Sequence, residues 1–251
     1  MIMRTGTGHF VGLLMFVCIS ASAGLAQSTD VFAKANDEYA AGRFREAIGF
    51  YDGIVRSGEY SAALFYNLGN AQYRADYLGQ AILNYERALA LEPFHPETAT
   101  NLRLVRDKAR ALELRKTSLE RIASWFTANQ YTIAAAVSFW TAAFVFAMRV
   151  FARHRSPALT LISVVALLVF GTCLFGLRIL ETGSHGNALA IVVGNKIDAR
   201  LATADNAGTV LALPPGSEIR ILSTRGNWTY AALPNDLRGW IPAASAQFVR
   251  L

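Results

Sequence analysis

The sequence predicts a multi-domain chain: an all-α helical repeat, a two-helix transmembrane hairpin and a small all-β barrel. Three observations carry that prediction. Residues recur at a fixed spacing of 34 between about 30 and 115. Two apolar runs, 131–150 and 158–180, each supply about the 20 residues that a helix needs to cross a bilayer core. From Ala188 onward the texture changes to short β-type runs separated by turn residues. Composition agrees, since 53% hydrophobic against 17% charged residues is ordinary for a membrane-anchored chain and unusual for a soluble one.

The hairpin sets an expected orientation. Between the apolar runs, residues 151–157 and their flank hold Arg149, Arg153 and Arg155, and short loops rich in Lys and Arg stay on the cytoplasmic side. Both flanking regions, 27–130 and 181–251, then lie on the opposite face. Neither run has the polar side expected of a helix in a soluble protein. The spans contain no Asp, Glu or Lys, and Arg178 lies near the end of the second, where it can snorkel. An anchor and spacer is expected, not a transport path.

The N-terminus agrees independently. Residues 1–26 read as a secretory signal, with Arg4 followed by the apolar run Phe10–Ile19 and then small residues around Ala21, Ala23 and Ala26. Cleavage is expected after Ala26, with an uncleaved anchor as the alternative. Val17 before Cys18 argues against lipidation. The expected setting is the bacterial inner membrane, with both soluble parts in the periplasm. The other cysteine, Cys173, lies in the second span, so neither soluble part has a disulfide or a thiol nucleophile.

A net charge of +6 suggests nucleic acid until it is partitioned. Residues 27–115 carry 11 basic and 12 acidic side chains, and residues 181–251 carry 6 and 5. Much of the excess sits beside the membrane segments, so no electrostatic footprint for DNA or RNA is left.

In the repeat region, 27–115, Asn36 matches Asn70, Tyr39 matches Tyr73, Ala47-Ile48 matches Ala81-Ile82, and Tyr51 matches Tyr85. A helix–turn–helix period of 34 is the tetratricopeptide spacing. The second copy resembles that family through Leu68-Gly69, Tyr73, Ala81, Tyr85, Ala88 and Pro93, whereas the first has Lys34-Ala35 in place of Leu-Gly. Small residues let paired helices approach and tyrosines fill the grooves. A long helix, Glu97 to Arg115, is expected to cap the stack. The resemblance implies a groove that receives extended peptides or partner segments, with Asn36, Asn67 and Asn70 at groove positions. Asparagine suits that task because it both donates and accepts, although local helix contacts are the competing role. Tyr39 and Tyr73 are further candidates, with a core role as the alternative.

Residues 116–130 form an amphipathic joint in which Trp125, Phe126 and Tyr131 suit the membrane interface; a surface-lying helix or a simple stalk fits. In 185–251, β-type runs at 189–193, 198–202, 209–213, 218–223, 228–233, 239–241 and 248–251 alternate with turn residues. The stretch Pro215-Gly216 through Ile221, then Trp228-Thr-Tyr230, then Gly239-Trp240-Ile241 resembles bacterial SH3 domains. That likeness implies a surface at Trp228 and Tyr230 toward cell-wall peptides or proteins, with Trp240 either on it or closing the barrel.

No catalytic pattern is legible. His9, His95, His154 and His185 are scattered without metal-ligand spacing, and no phosphate loop or nucleophile elbow occurs. No enzyme activity, metal or cofactor is expected. The whole order resembles the BatE-type proteins of the Bacteroides-aerotolerance family, most sharply at Tyr66 to Tyr73 and Asn84 to Leu89 running on to Asn101-Leu102. What the resemblance implies is a non-enzymatic adaptor. Its partners would be membrane-bound von Willebrand A-domain proteins, usually encoded beside a MoxR-type ATPase. A cell-envelope sensor that binds peptidoglycan through the SH3-like part is the alternative.

Overall fold

The computed structural model describes residues 30–151 and 156–251. The expected signal, 1–26, and loop residues Arg153 and Arg155 lie outside the described residues. The architecture is mixed, with helices followed by a seven-stranded antiparallel sheet. The chain divides into two compact units between Val105 and Arg106.

The first unit is helical: α1 (30–40), α2 (Phe44–Arg56), α3 (Ala62–Arg74), α4 (Leu78–Leu91) and most of α5 (Pro96–Ala109). Spacings of three and four residues place Ala47, Tyr51 and Ile54 on the buried face of α2. They pack with Ala35, Leu64, Leu68 and Ala71. Ser61 caps α3 by accepting from the Leu64 N–H at 3.1 Å. His95 does the same for α5, its Nδ1 accepting from the Thr98 N–H at 3.2 Å. Gly69 explains how α3 and α4 approach: a Cβ there would lie 2.8 Å from Cε1 of Tyr85.

The helix ends repeat as well. Gly42, Asp76 and Arg110 are left-handed, with φ of 77°, 63° and 51°, and each follows the last by 34 residues. A left-handed residue stops a helix. This corrects the expected helix from Glu97 to Arg115, which ends at Ala109. Helix α5 occupies the place of α1 and α3 in a third copy and stops where they stop.

In the second unit, residues 110–117 form a non-helical strap, followed by α6 (Ser118–Ala123), α7 (Ala128–Phe151) and α8 (Pro157–Thr182). Both α7 and α8 are long and apolar enough to cross a membrane. They meet along small side chains, Ala135, Ser138 and Ala142 on one and Ala166, Cys173 and Gly176 on the other. The Tyr131 ring lies over Gly176, where a Cβ would stand 2.6 Å from its Cε1. Phe144, Phe146, Met148, Leu161, Leu168 and Phe175 are each more than half exposed. So long an apolar exterior is far larger than a water-facing surface ordinarily carries.

The sheet comprises β1 (Leu189–Val192), β2 (Ile197–Arg200), β3 (Thr209–Leu213), β4 (Glu218–Arg225), β5 (Trp228–Ala232), β6 (Arg238–Pro242) and β7 (Ala246–Phe248). Its order is β3-β2-β6-β5-β4-β1-β7. Ala190, Val192, Ala199, Leu213, Ile219, Ala231, Leu233 and Ile241 form its core, with Leu112 of the strap packed against them. The expected barrel is corrected in one respect: the ladder is open. β7 is only three residues long and pairs β1 alone, so among the described residues the two end strands share no ladder.

Candidate functional site

The predicted asparagines come together, and what joins them is a hydrogen-bond ladder with the period of the repeat. Asn36 Oδ1 accepts from the Tyr51 hydroxyl at 2.6 Å and from Asn67 Nδ2 at 3.1 Å. One period on, Asn70 Oδ1 accepts from the Tyr85 hydroxyl at 2.7 Å and from Asn101 Nδ2 at 3.0 Å. Each rung ties an odd-numbered helix to the even-numbered helix after it and to the next odd-numbered helix. The second rung has an addition, since Asn101 Nδ2 also reaches the Tyr66 hydroxyl at 3.4 Å.

The two acceptor oxygens are therefore committed to the fold, while the opposite ends of the amides are not. Among the described residues, Nδ2 of Asn36 and Asn70 and Oδ1 of Asn67 make no further hydrogen bond. Asn36, Tyr39, Asn67 and Asn70, all half-buried, line a cavity of about 70 Å³ together with Tyr51. Amide donors and an acceptor lining a small cavity suit the N–H and C=O of an extended chain. Tyr39 also packs edge-on against Phe44, with ring centroids 5.4 Å apart. Tyr73 is half-buried on α3 and is not part of that cavity.

Burial pushes the Tyr51 hydroxyl up to about 12 and raises that of Tyr85 as well. Both phenols stay neutral donors across the physiological range, so the ladder carries no charge. The roles of Tyr51, Tyr85 and Asn101 were not predicted. Their signal was the same 34-residue spacing, which places Tyr51 before Tyr85 and Asn67 before Asn101.

In the sheet, alternation puts Trp228 and Tyr230 of β5 and Trp240 of β6 on the half-buried face, while Thr229, Ala231, Gly239 and Ile241 are buried. Tyr230 pairs with Trp240 across the strands, ring centroids 5.0 Å apart. Trp240 thus joins the aromatic strip and not the core.

A fully buried carboxylate was missed altogether. Glu218 is fully buried, ion-paired to Arg106, and its Oε2 lies 3.1 Å from His185 Nε2 and accepts from the Leu114 N–H at 2.9 Å. Burial raises this carboxyl, but His185, Arg106 and the Leu114 N–H outweigh it and hold the group below its ordinary value. The neighbouring backbone joins in: Glu218 N–H donates to the Leu112 carbonyl at 2.8 Å, and Leu112 N–H to Ser217 Oγ at 3.1 Å. The cluster fastens the strap to the sheet. Among the described residues, no three His, Cys, Asp or Glu side chains converge as a metal site.

No family model, curated protein or solved structure matches this chain.

Proposed function

We propose that this chain is a non-enzymatic scaffold of the bacterial inner membrane that holds a partner through its helical repeats. The observation that carries the reading is the twice-repeated Asn–Tyr–Asn ladder, which presents unpaired amide groups beside a small cavity. The helices are read as a tetratricopeptide stack, in which α1, α3 and α5 form the binding face. An extended segment of a partner protein would pair its backbone with Asn36, Asn67 and Asn70 and place side chains against Tyr39 and Tyr73. The resemblance to BatE-type proteins makes membrane-bound von Willebrand A-domain proteins the expected partners. Helices α7 and α8 are the anchor, with the repeats and the SH3-like sheet both in the periplasm. Activity of a periplasm-dependent reporter inserted at Arg153 would refute that topology.

The ladder dictates the better test. Replacing Asn36 and Asn70 by Ala removes the acceptors that hold Tyr51 and Tyr85 and so confuses folding with binding. Asn36→Asp with Asn70→Asp keeps both acceptor oxygens and replaces the free donors by carboxylate oxygens that repel a partner carbonyl. Tagged full-length chain, purified from native membranes, should retain a von Willebrand A-domain protein that the double variant loses. Equal retention with the fold intact would remove the groove assignment.

A second reading rests on the aromatic strip of Trp228, Tyr230 and Trp240, whose flat rings suit stacking against cell-wall glycopeptide. Sedimentation of the full chain with isolated peptidoglycan, abolished by Trp228→Ala, would favour this sensor role over the scaffold.

A further inference from the structure

The second unit holds a cavity of about 320 Å³ where the strap, α6, the end of α8 and the sheet meet, and three arginines line it: Arg115, Arg220 and Arg238. Three carboxylates are also present, but two are already engaged. Glu120 accepts from the Thr117 N–H at 2.7 Å and from the Ser184 N–H and hydroxyl at 2.6 and 2.9 Å. Glu113 faces Arg106 at 3.7 Å. Neutral donors leave Glu120 its charge, so Glu120 and Asp236 oppose three guanidinium groups, of which Arg220 also donates to the Thr182 carbonyl at 3.3 Å. Among the described residues, the guanidinium groups of Arg115 and Arg238 make no hydrogen bond or ion pair.

The position of the cavity names its occupant. Ser184, on its wall, is two residues past the end of α8, and Thr117 and Glu120 on the same wall belong to α6 and its cap. Leu119 and Ile122 of α6, with Trp125 and Phe126 just after it, are each more than half exposed. A short helix that offers apolar side chains one way and a cationic cavity the other matches the boundary between acyl chains and headgroups. Cationic side chains at that level attract anionic lipid.

We propose that this cavity binds the phosphate headgroup of an anionic phospholipid, its acyl chains lying along Leu119, Ile122, Trp125 and Phe126. The inference rests on α7 and α8 spanning the membrane and uses no residue of the repeats, so it can fail while the scaffold reading stands. Bidentate guanidinium–phosphate pairing supplies the headgroup contact, and Asp236 weakens it.

The test uses the full chain in non-ionic detergent, with native mass spectrometry after addition of phosphatidylglycerol or phosphatidylcholine. Phosphatidylglycerol should be retained as a single bound molecule roughly tenfold more tightly than phosphatidylcholine. Arg115→Gln with Arg238→Gln should cost roughly tenfold or more of that affinity, at unchanged melting temperature. Asp236→Asn should move affinity the other way, a gain that misfolding cannot imitate. Equal retention of the two lipids, or indifference to all three substitutions, overturns the proposal. Displacement of the lipid by an equal concentration of glycerol phosphate or of a soluble muropeptide also overturns it, in favour of a water-borne anion.

Discussion

The ladder of the repeat and the Glu218 cluster of the sheet are opposite solutions to placing polar groups inside a small fold. The ladder is neutral, with buried tyrosines and half-buried asparagines, and its two rungs are built from residues one period apart. The cluster is ionic, centred on the fully buried Glu218, and joins residues as far as 112 positions apart, Arg106 and Glu218. Neutral groups in a repeated frame leave spare donors and acceptors for a partner. An ionic group in a dry site needs an opposite charge beside it, because an uncompensated buried charge is costly. The proposed binding belongs to the first arrangement and fastening to the second.

Three measurements test that contrast, with local stability read by hydrogen exchange on the full chain in detergent. The largest effect is expected from Glu218→Ala, which removes the buried partner of Arg106 and His185 and should destabilise the strap and sheet by about 3–5 kcal/mol. Amides of α1 to α4 should not change, and equal loss in both places would show that the two polar systems are not separate. Next comes Gly69→Ala, whose methyl group would strike the Tyr85 ring and should cost about 1–3 kcal/mol in α3 and α4. The equivalent residue of the first copy is Ala35, which is buried without such a clash. Smaller still, Tyr51→Phe and Tyr85→Phe should each remove about 1 kcal/mol. The second should cost more if Tyr66 strengthens its rung.

The pH dependence should differ in sign. Glu218 has a depressed folded value, so its contribution is present above the ordinary carboxylate range and is lost as pH falls through the lowered folded value. Tyr51 is raised from 10.0 to about 12. Its contribution is therefore complete below pH 10 and is lost as pH rises toward that raised value. Acid should open the sheet first and alkali the repeat. Asp52, raised by burial, acts against acid loss in the repeat. A single common acid transition would contradict this division.

Much of the molecule was legible in its residues. The period of 34 located four helices of the first unit, and the apolar runs located α7 and α8 to within a few residues. Alternation and turn residues located the strands, although β7 begins two residues before the run expected there. These features are local or periodic, and a chain can announce them without knowing its fold. The candidate asparagines were also legible, because the repeat places equivalent residues on equivalent faces. What the sequence could not show is which end of each amide is consumed. That depends on Tyr51 and Tyr85 reaching across from neighbouring helices.

By itself, then, the sequence determined the order of helical repeat, apolar hairpin and β-rich tail, since hydrophobic periodicity and turn chemistry act over a few residues. Only the tertiary structure decided that Glu218 is buried against Arg106 and His185, that the ladder stays open between β3 and β7, and that Arg115, Arg220 and Arg238 share one cavity. Each of these joins residues far apart along the chain. Nothing in the spacing of a lone glutamate or three separate arginines reveals a neighbour that only folding supplies.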